Sequence, residues 1–303
     1  MEKVLNLGGL GTGGRQNELI ELSLTHKFDS IEIDMADVLA RFEAMGRQFA
    51  LQLLKGAHVK VGTFRLPIDF GCSNENFDKE LAKLEKVIDL AKEVGCARCY
   101  YEVESSSDDF AFQENFENHR TRINTVGTKL AEANIRLGVS LASSPNQVQK
   151  QTKFLQTADE CLTLVRLVGN KNVGLCLNTW AWSLGKGGVE QIANLAADRI
   201  TEVRMADIPD GVDLATLTSK QIQMPGSAEN SMIPELMKHL HKIGYEGAIS
   251  VASNATMFAG TPRETVVAQI TRRLDHLIEF GNGTREQIEE VEGEQLEMEA
   301  GVA

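Results

Sequence analysis

Hydrophobic positions along the chain fall into short unbroken runs, separated by longer stretches in which they recur every three or four residues. Val173–Leu177 shows the first pattern most clearly: a polar turn, an apolar run, then an abrupt stop at Asn178 and Thr179 with Trp180 and Trp182 just beyond. A run of this kind predicts a strand buried on both faces, as in a parallel sheet. Comparable runs at Val4–Leu7, Ser30–Ile33, His58–Phe64, Ala97–Val103, Ile135–Leu141, Ile200–Met205 and Gly247–Val251 predict seven more. The stretches between them read as helices, from Gln16 to about His26, Ala36 to Gly56, Gln113 to Asn134, Gln147 to Val168, Gly188 to Ala197 and Pro262 to Phe280, with one more ending at Gly244. The clearest apolar stripe is Phe77, Leu81, Leu84, Ile88 and Ala91, at helical spacing and closed by Gly95.

Strict alternation of strand and helix argues for a parallel sheet. Eight units within about 280 residues suit a single-domain (β/α)8 TIM barrel over residues 1–283. The rival is an open, doubly wound sheet, whose glycine fingerprint would open the first helix. Gly9, Gly11 and Gly14 give G-x-G-x-x-G-like spacing, and Asp34 could serve as the acidic partner. The pattern is weak, and a loop at the barrel mouth is the preferred reading.

Charge sharpens the domain picture. The net charge is −12, and residues 284–303 hold seven glutamates and one arginine, a net of −6, leaving −6 on residues 1–283. That acidic tail has little apolar content and is expected to be disordered. An acidic body argues against a partner that is nucleic acid. No apolar run approaches the ~20 residues of a membrane span, and the N-terminus lacks signal-peptide character. With five cysteines, an odd number, the expectation is a cytoplasmic protein with reduced thiols.

A barrel keeps its chemistry at the carboxyl ends of its strands. Those ends carry Glu32 and Asp34, Arg65, Glu102 and Glu104, Ser140, Asn178 and Trp180, Arg204 and Asp207, and Asn254. Glu102 and Glu104, two apart on a strand, share a face and could act as acid and base on a small substrate. Arg204 ends a buried strand with a charge, so it must meet Asp207, a glutamate or an anionic ligand. Trp180 could stack on a sugar ring or pack against a helix. Of the histidines only His119 could lie near the mouth, and no His/carboxylate set has metal-ligand spacing. Cys96 and Cys99 form a C-x-x-C better explained by buried small residues, and Lys186 in GKGG reads as a solvated loop lysine.

At these residues the chain resembles the xylose isomerase-like TIM barrels, the sugar phosphate isomerase/epimerase superfamily that also includes the family 2 apurinic endonucleases. The likeness spans about residues 3–281. It is carried by IRLGVSL, VGLCLNTW, EVRMAD, MPGSAENSMIPELMKHLHKIGYEG and ISVAS, and most specifically by Gly244, Tyr245, Gly247, Ile249 and Ser250. The resemblance implies a divalent metal, yet the four ligand positions fall on Ser140, Asn178, Arg204 and Ala252, and the substrate-side histidine on Ala181. Arginine does not give up its proton to ligate a cation, and alanine offers no donor. No metal and no other cofactor is therefore expected.

Three carboxylates with a divalent ion sum to −1, whereas Ser, Asn, Arg and Ala sum to +1, which predicts a pocket that attracts an anion unless other carboxylates point inward. The expected protein binds or acts on a small sugar, sugar acid or sugar phosphate. If it is an enzyme, it is isomerase- or epimerase-like, with Glu102 or Glu104 as base and Arg204 as electrophile. Arg65, Ser140, Asn178, Trp180, Asp207 and Asn254 would then bind the substrate. The alternative is an inactive barrel serving as a ligand-binding or regulatory protein. Self-association into a homo-oligomer is left open.

Overall fold

In the computed structural model, eight parallel strands form one sheet: β1 (Glu2–Leu5), β2 (Ser30–Ile33), β3 (Val61–Phe64), β4 (Arg98–Val103), β6 (Arg136–Leu141), β8 (Val173–Asn178), β9 (Ile200–Met205) and β10 (Ala248–Val251). Their order is β3-β2-β1-β10-β9-β8-β6-β4. A parallel bridge between Arg65, just past β3, and Tyr100 of β4 joins the two edges, with the Leu66 amide donating to the Tyr100 carbonyl at 2.8 Å. The ring closes as the single-domain (β/α)8 TIM barrel expected from the alternation. Two-residue strands β5 (Ser106–Ser107) and β7 (Thr152–Lys153) pair antiparallel beside it. The residues described are 1–6, 16–57, 59–142, 150–214, 216–252, 257–258, 260 and onward to 288. The GGLGTGG loop, His58, Asn254 and most of the acidic tail lie outside them.

The helices are α1 (Gln16–Thr25), α2 (Met35–Met45), α3 (Arg47–Gly56), α4 (Asn74–Glu93), α5 (Phe112–Glu132), α6 (Ala158–Val168), α7 (Thr179–Leu184), α8 (Ile233–Lys242) and α9 (Arg263–Gly281). The long helix expected from Ala36 to Gly56 is two, because Gly46 adopts φ 86°, a left-handed backbone that ends α2. The helix expected at Gly188–Ala197 is a set of turns. A short helix instead follows β8 directly: Asn178 caps α7, its side chain accepting from the Ala181 amide at 3.3 Å. In α4 the stripe is as the spacing predicts: Phe77, Leu84 and Ala91 are buried, and Leu81 and Ile88 pack at the edge of the core.

Strand parity divides the molecule into a lumen and a shell. Odd-numbered residues of β4, such as Cys99, Tyr101 and Val103, pack outward among the helices. Even-numbered ones face the barrel axis, and the lumen is polar. Room for long polar side chains is made by small neighbours. A Cβ on Gly138 of β6 would stand 2.2 Å from the Thr201 hydroxyl and 2.8 Å from the Cys176 Cβ, so only glycine fits there.

Candidate functional site

Arg204, at the carboxyl end of β9, crosses the lumen. Its Nη2 donates to Glu32 Oε2 on β2 at 3.1 Å, and its Nη1 to Glu202 Oε1 on its own strand at 3.0 Å. The guanidinium lies over the Tyr100 ring of β4, 4.4 Å from its centroid. Tyr100 donates its hydroxyl to Glu32 Oε1 at 2.7 Å, Thr63 of β3 donates to Glu202 Oε2, and the Cys176 thiol of β8 lies 3.5 Å from Glu202 Oε1. None of β2, β3 and β4 neighbours β9 in the sheet, so these contacts can only run across the barrel interior. Six strand-borne side chains thus tie opposite walls together.

Burial sets the electrostatics of this cluster. Glu32 and Glu202 are 7% and 2% exposed. Desolvation raises the Glu32 pKa, and the neighbouring Glu202 adds to it, against the opposing pull of Arg204. Burial also pushes the Tyr100 hydroxyl well up. For Arg204, burial works against the charge, but Glu32, Tyr100 and Glu202 together reverse that and hold it firmly protonated. The arginine is therefore a fixed internal cation.

This placement corrects the charge sum made from the four strand-end residues. That sum left Arg204 uncompensated. Its partners are Glu32 and Glu202, not Asp207, and Glu202 was missed because it lies mid-strand rather than at the strand end. The signal was available, since Glu202 and Arg204 are two apart and must share a face. Asp207 serves the loop after β9. It accepts from the Ser227 and Ala228 amides at 2.9 and 3.1 Å and from the Ser231 hydroxyl at 2.7 Å. Burial raises its pKa, with the Ser231 hydroxyl and those amides pulling the other way.

The remaining strand-end residues split into two sides. On the β3–β4–β6 side, Arg65 reaches Glu102 at 3.4 Å, with the arginine side chain 63% exposed and the glutamate 29%. Glu104, beyond the strand, pairs with Lys150 instead, so the two glutamates do not meet at one centre. Ser140 stands beside Glu102 in register, is fully buried, and its hydroxyl has no hydrogen-bond partner among the described residues.

On the β8–β9–β10 side, Trp180 is buried with Ala206, Leu217 and Ala252. Leu184, Ile208, Val212 and Ile222 pack against them. Leu217 comes from the loop after β9, whose base is stapled where Asp207 and Gln223 exchange two backbone hydrogen bonds of 3.0 Å. Trp180 is thus a packing residue here, and Trp182, 1% exposed, donates its indole N–H to the Gly188 carbonyl at 3.0 Å. His119 lies outside the lumen, between α5 and β4: Nδ1 meets the Asn115 carbonyl at 2.9 Å and Nε2 the Tyr101 hydroxyl at 3.4 Å. Cys96 and Cys99 are buried thiols, and burial raises both.

Of the four positions that the resemblance assigns to a metal, Ser140 keeps a hydroxyl without a described partner, and the other three are occupied otherwise. Asn178 spends its oxygen on capping α7, the Arg204 guanidinium has no lone pair to give, and Ala252 belongs to an apolar cluster. Among the described residues no group of three or more His, Cys, Asp or Glu side chains could hold a metal ion. No described helix is long and apolar enough to cross a membrane.

Among solved structures, a xylose isomerase domain protein from Alicyclobacillus acidocaldarius superposes with a TM-score of 0.81 at 18% identity, over 93% of this chain and 100% of that one. The D-psicose 3-epimerase of Clostridium cellulolyticum H10, solved with D-tagatose, gives a TM-score of 0.68 at 12% identity, over 93% and 99%. The IolI protein, solved with a zinc atom, gives 0.74 at 17%, over 92% and 98%. No curated protein matches the chain. The family described as xylose isomerase-like TIM barrel matches residues 20–277. The chain belongs to the xylose isomerase-like TIM barrel family.

Proposed function

We propose that this barrel binds a small sugar or sugar acid at the carboxyl ends of its strands and moves a proton on it without a divalent metal, as an isomerase- or epimerase-like protein. The observation that carries the reading is Ser140. A fully buried hydroxyl without a described partner costs about 1–3 kcal/mol, and here it stands beside Glu102, a partly exposed carboxylate placed to act as a base. Arg65 orients that carboxylate from solvent. Arg204, clamped by Glu32 and Glu202, offers donors that need no reorganisation when charge develops on a substrate oxygen.

The charge balance favours a neutral sugar first, a singly charged sugar acid next and a doubly charged sugar phosphate least. Two cations, Arg65 and Arg204, face three carboxylates, Glu102, Glu32 and Glu202. An inactive, ligand-binding barrel is the second reading, supported by the apolar cluster over the β8–β9–β10 strand ends. Metal-stripped protein incubated with a sugar panel in deuterated water separates the two. Carbon-bound deuterium incorporated by wild type and lost in Glu102→Gln supports the enzyme. Ligand-induced stabilisation without exchange supports the binder, and stabilisation by no sugar, or activity that appears only on adding a divalent cation, rejects the proposal.

A further inference from the structure

The amino-terminal end of the barrel, opposite the mouth, carries a second set of charges. Parallel strands all begin at that end. Glu2 opens β1, Lys60 precedes β3, Arg98 opens β4, Arg136 opens β6 and Arg199 precedes β9. Arg98 and Arg136 are register partners on adjacent strands, side by side on the lumen face. Like charges in directly paired positions destabilise a sheet unless something stands between them.

Neutralisation here is incomplete. Glu2 is the one buried carboxylate among these groups, and it pairs with Arg98 Nη2 at 2.6 Å and Lys60 at 3.1 Å. That leaves Arg98 Nη1 buried with no hydrogen-bond partner among the described residues. Among the described residues, Arg136 donates to the Asp198 main-chain carbonyl, and Arg199 to the Asn170 and Lys171 carbonyls at 3.3 and 3.4 Å. Neither makes an ion pair with a described carboxylate. Burial lowers the Arg136 pKa; Asp198 and Tyr245 oppose that, whereas Arg199 and Arg98 add to it. Four cations (Lys60, Arg98, Arg136, Arg199) thus face two carboxylates (Glu2, Asp198), a local balance of +2 in a chain whose net charge is −12.

We propose that this end of the barrel binds a tetrahedral oxyanion of the phosphate or sulfate kind, held between Arg98 and Arg136. Planar guanidinium groups present paired donors that match such an anion. An anion there would satisfy the orphaned Arg98 nitrogen and relieve the repulsion between the paired arginines. The site is independent of the sugar reading, since it lies at the other end of the lumen and uses none of the same side chains.

Thermal unfolding of the full chain against inorganic phosphate, with chloride at matched ionic strength as control, tests this. Saturable stabilisation by phosphate beyond that of chloride is expected. Arg136→Gln should weaken the apparent affinity at least about tenfold, while Arg65→Gln, at the mouth, should leave it unchanged. Phosphate acting no better than chloride overturns the proposal, as does a wild-type response in Arg136→Gln or a loss that tracks Arg65→Gln instead. A wild-type crystal grown in sulfate gives a readout that does not depend on any variant folding. Density is expected against Arg98 Nη1 and Arg136, and no sulfate between these arginines, in a crystal that binds it elsewhere, overturns the site.

Discussion

Glu32 and His119 are almost equally hidden, at 7% and 2% exposure, yet the barrel treats them in opposite ways. Glu32 stands in the lumen inside a net of charge, held by Arg204 and Tyr100. His119 stands in the shell, where burial depresses its pKa to about 4 and keeps the ring neutral. Tyr100 and Tyr101 show how fine the division is. Adjacent on β4, one donates to Glu32 while the other packs edge-on against Phe70, centroids 4.4 Å apart, and meets His119. A strand sends successive side chains to opposite faces, so one residue of register decides between a charged lumen and an apolar shell. Burial alone therefore says little about function; the side of the sheet says more.

The strongest way to break this contrast is to remove one lumen carboxylate. Glu202→Ala leaves Arg204 with Glu32 alone and takes the acceptor from Thr63 and the partner from Cys176. Breaking a buried pair from one side costs about 3–5 kcal/mol, so the urea midpoint at neutral pH should fall sharply. A loss below about 1 kcal/mol would mean that the network is not a structural unit.

His119 gives the next largest effect, visible only in acid. Its folded pKa of about 4 lies below the ordinary histidine value of 6.5. The folded state then resists protonation, and stability is lost as pH falls through that interval. The loss should reach about 3 kcal/mol by pH 4. Replacing His119 with Phe should flatten this limb of the stability–pH curve; an unchanged limb would show that the ring is not held neutral by burial.

These contrasts also mark what could be read from the sequence. Eight apolar runs with helical stretches between them gave the barrel, because buried parallel strands and amphipathic helices leave different periods. Val173–Asn178 and Ile200–Met205 were legible almost to the residue. Helix α7 was not, since six residues after a strand leave no period to detect and the Asn178 cap was read as a ligand-facing group. The interior network was half legible. Arg204 was recognised as a buried charge in need of a partner, but its pairing with Glu32 and Glu202 depends on which side chains reach one another across the barrel axis, which strand order and periodicity do not specify. The role of Leu217 was invisible for the same reason: a loop residue reaches Trp180 only through the fold.

Glu32→Gln sharpens the comparison with His119 because its pH dependence has the opposite sign. The folded pKa of Glu32 is raised, mainly by desolvation. Its contribution is complete below the unfolded value near 4.5 and is lost as pH rises through the folded pKa. The amide can still accept from Tyr100 or Arg204, so the cost at low pH should be no more than about 1–2 kcal/mol. Wild type minus variant should decline with rising pH, and a difference that is flat or rises would overturn the assignment.

The smallest effect compares one hydroxyl on each side of the wall. Ser140 in the lumen and Ser23 in α1 are both 0% exposed, and neither hydroxyl has a described partner. Replacing either with alanine removes an unsatisfied group at nearly the same shape, so each variant should be stabilised, by roughly 1 kcal/mol. Their stabilities alone cannot tell them apart. Ligand response can: if the mouth binds a sugar, Ser140→Ala gains stability yet loses several-fold in sugar-dependent stabilisation, whereas Ser23→Ala keeps the wild-type response. Equal responses from both variants would make Ser140 a packing defect like Ser23, and the proposed site would lose the observation that supports it most directly.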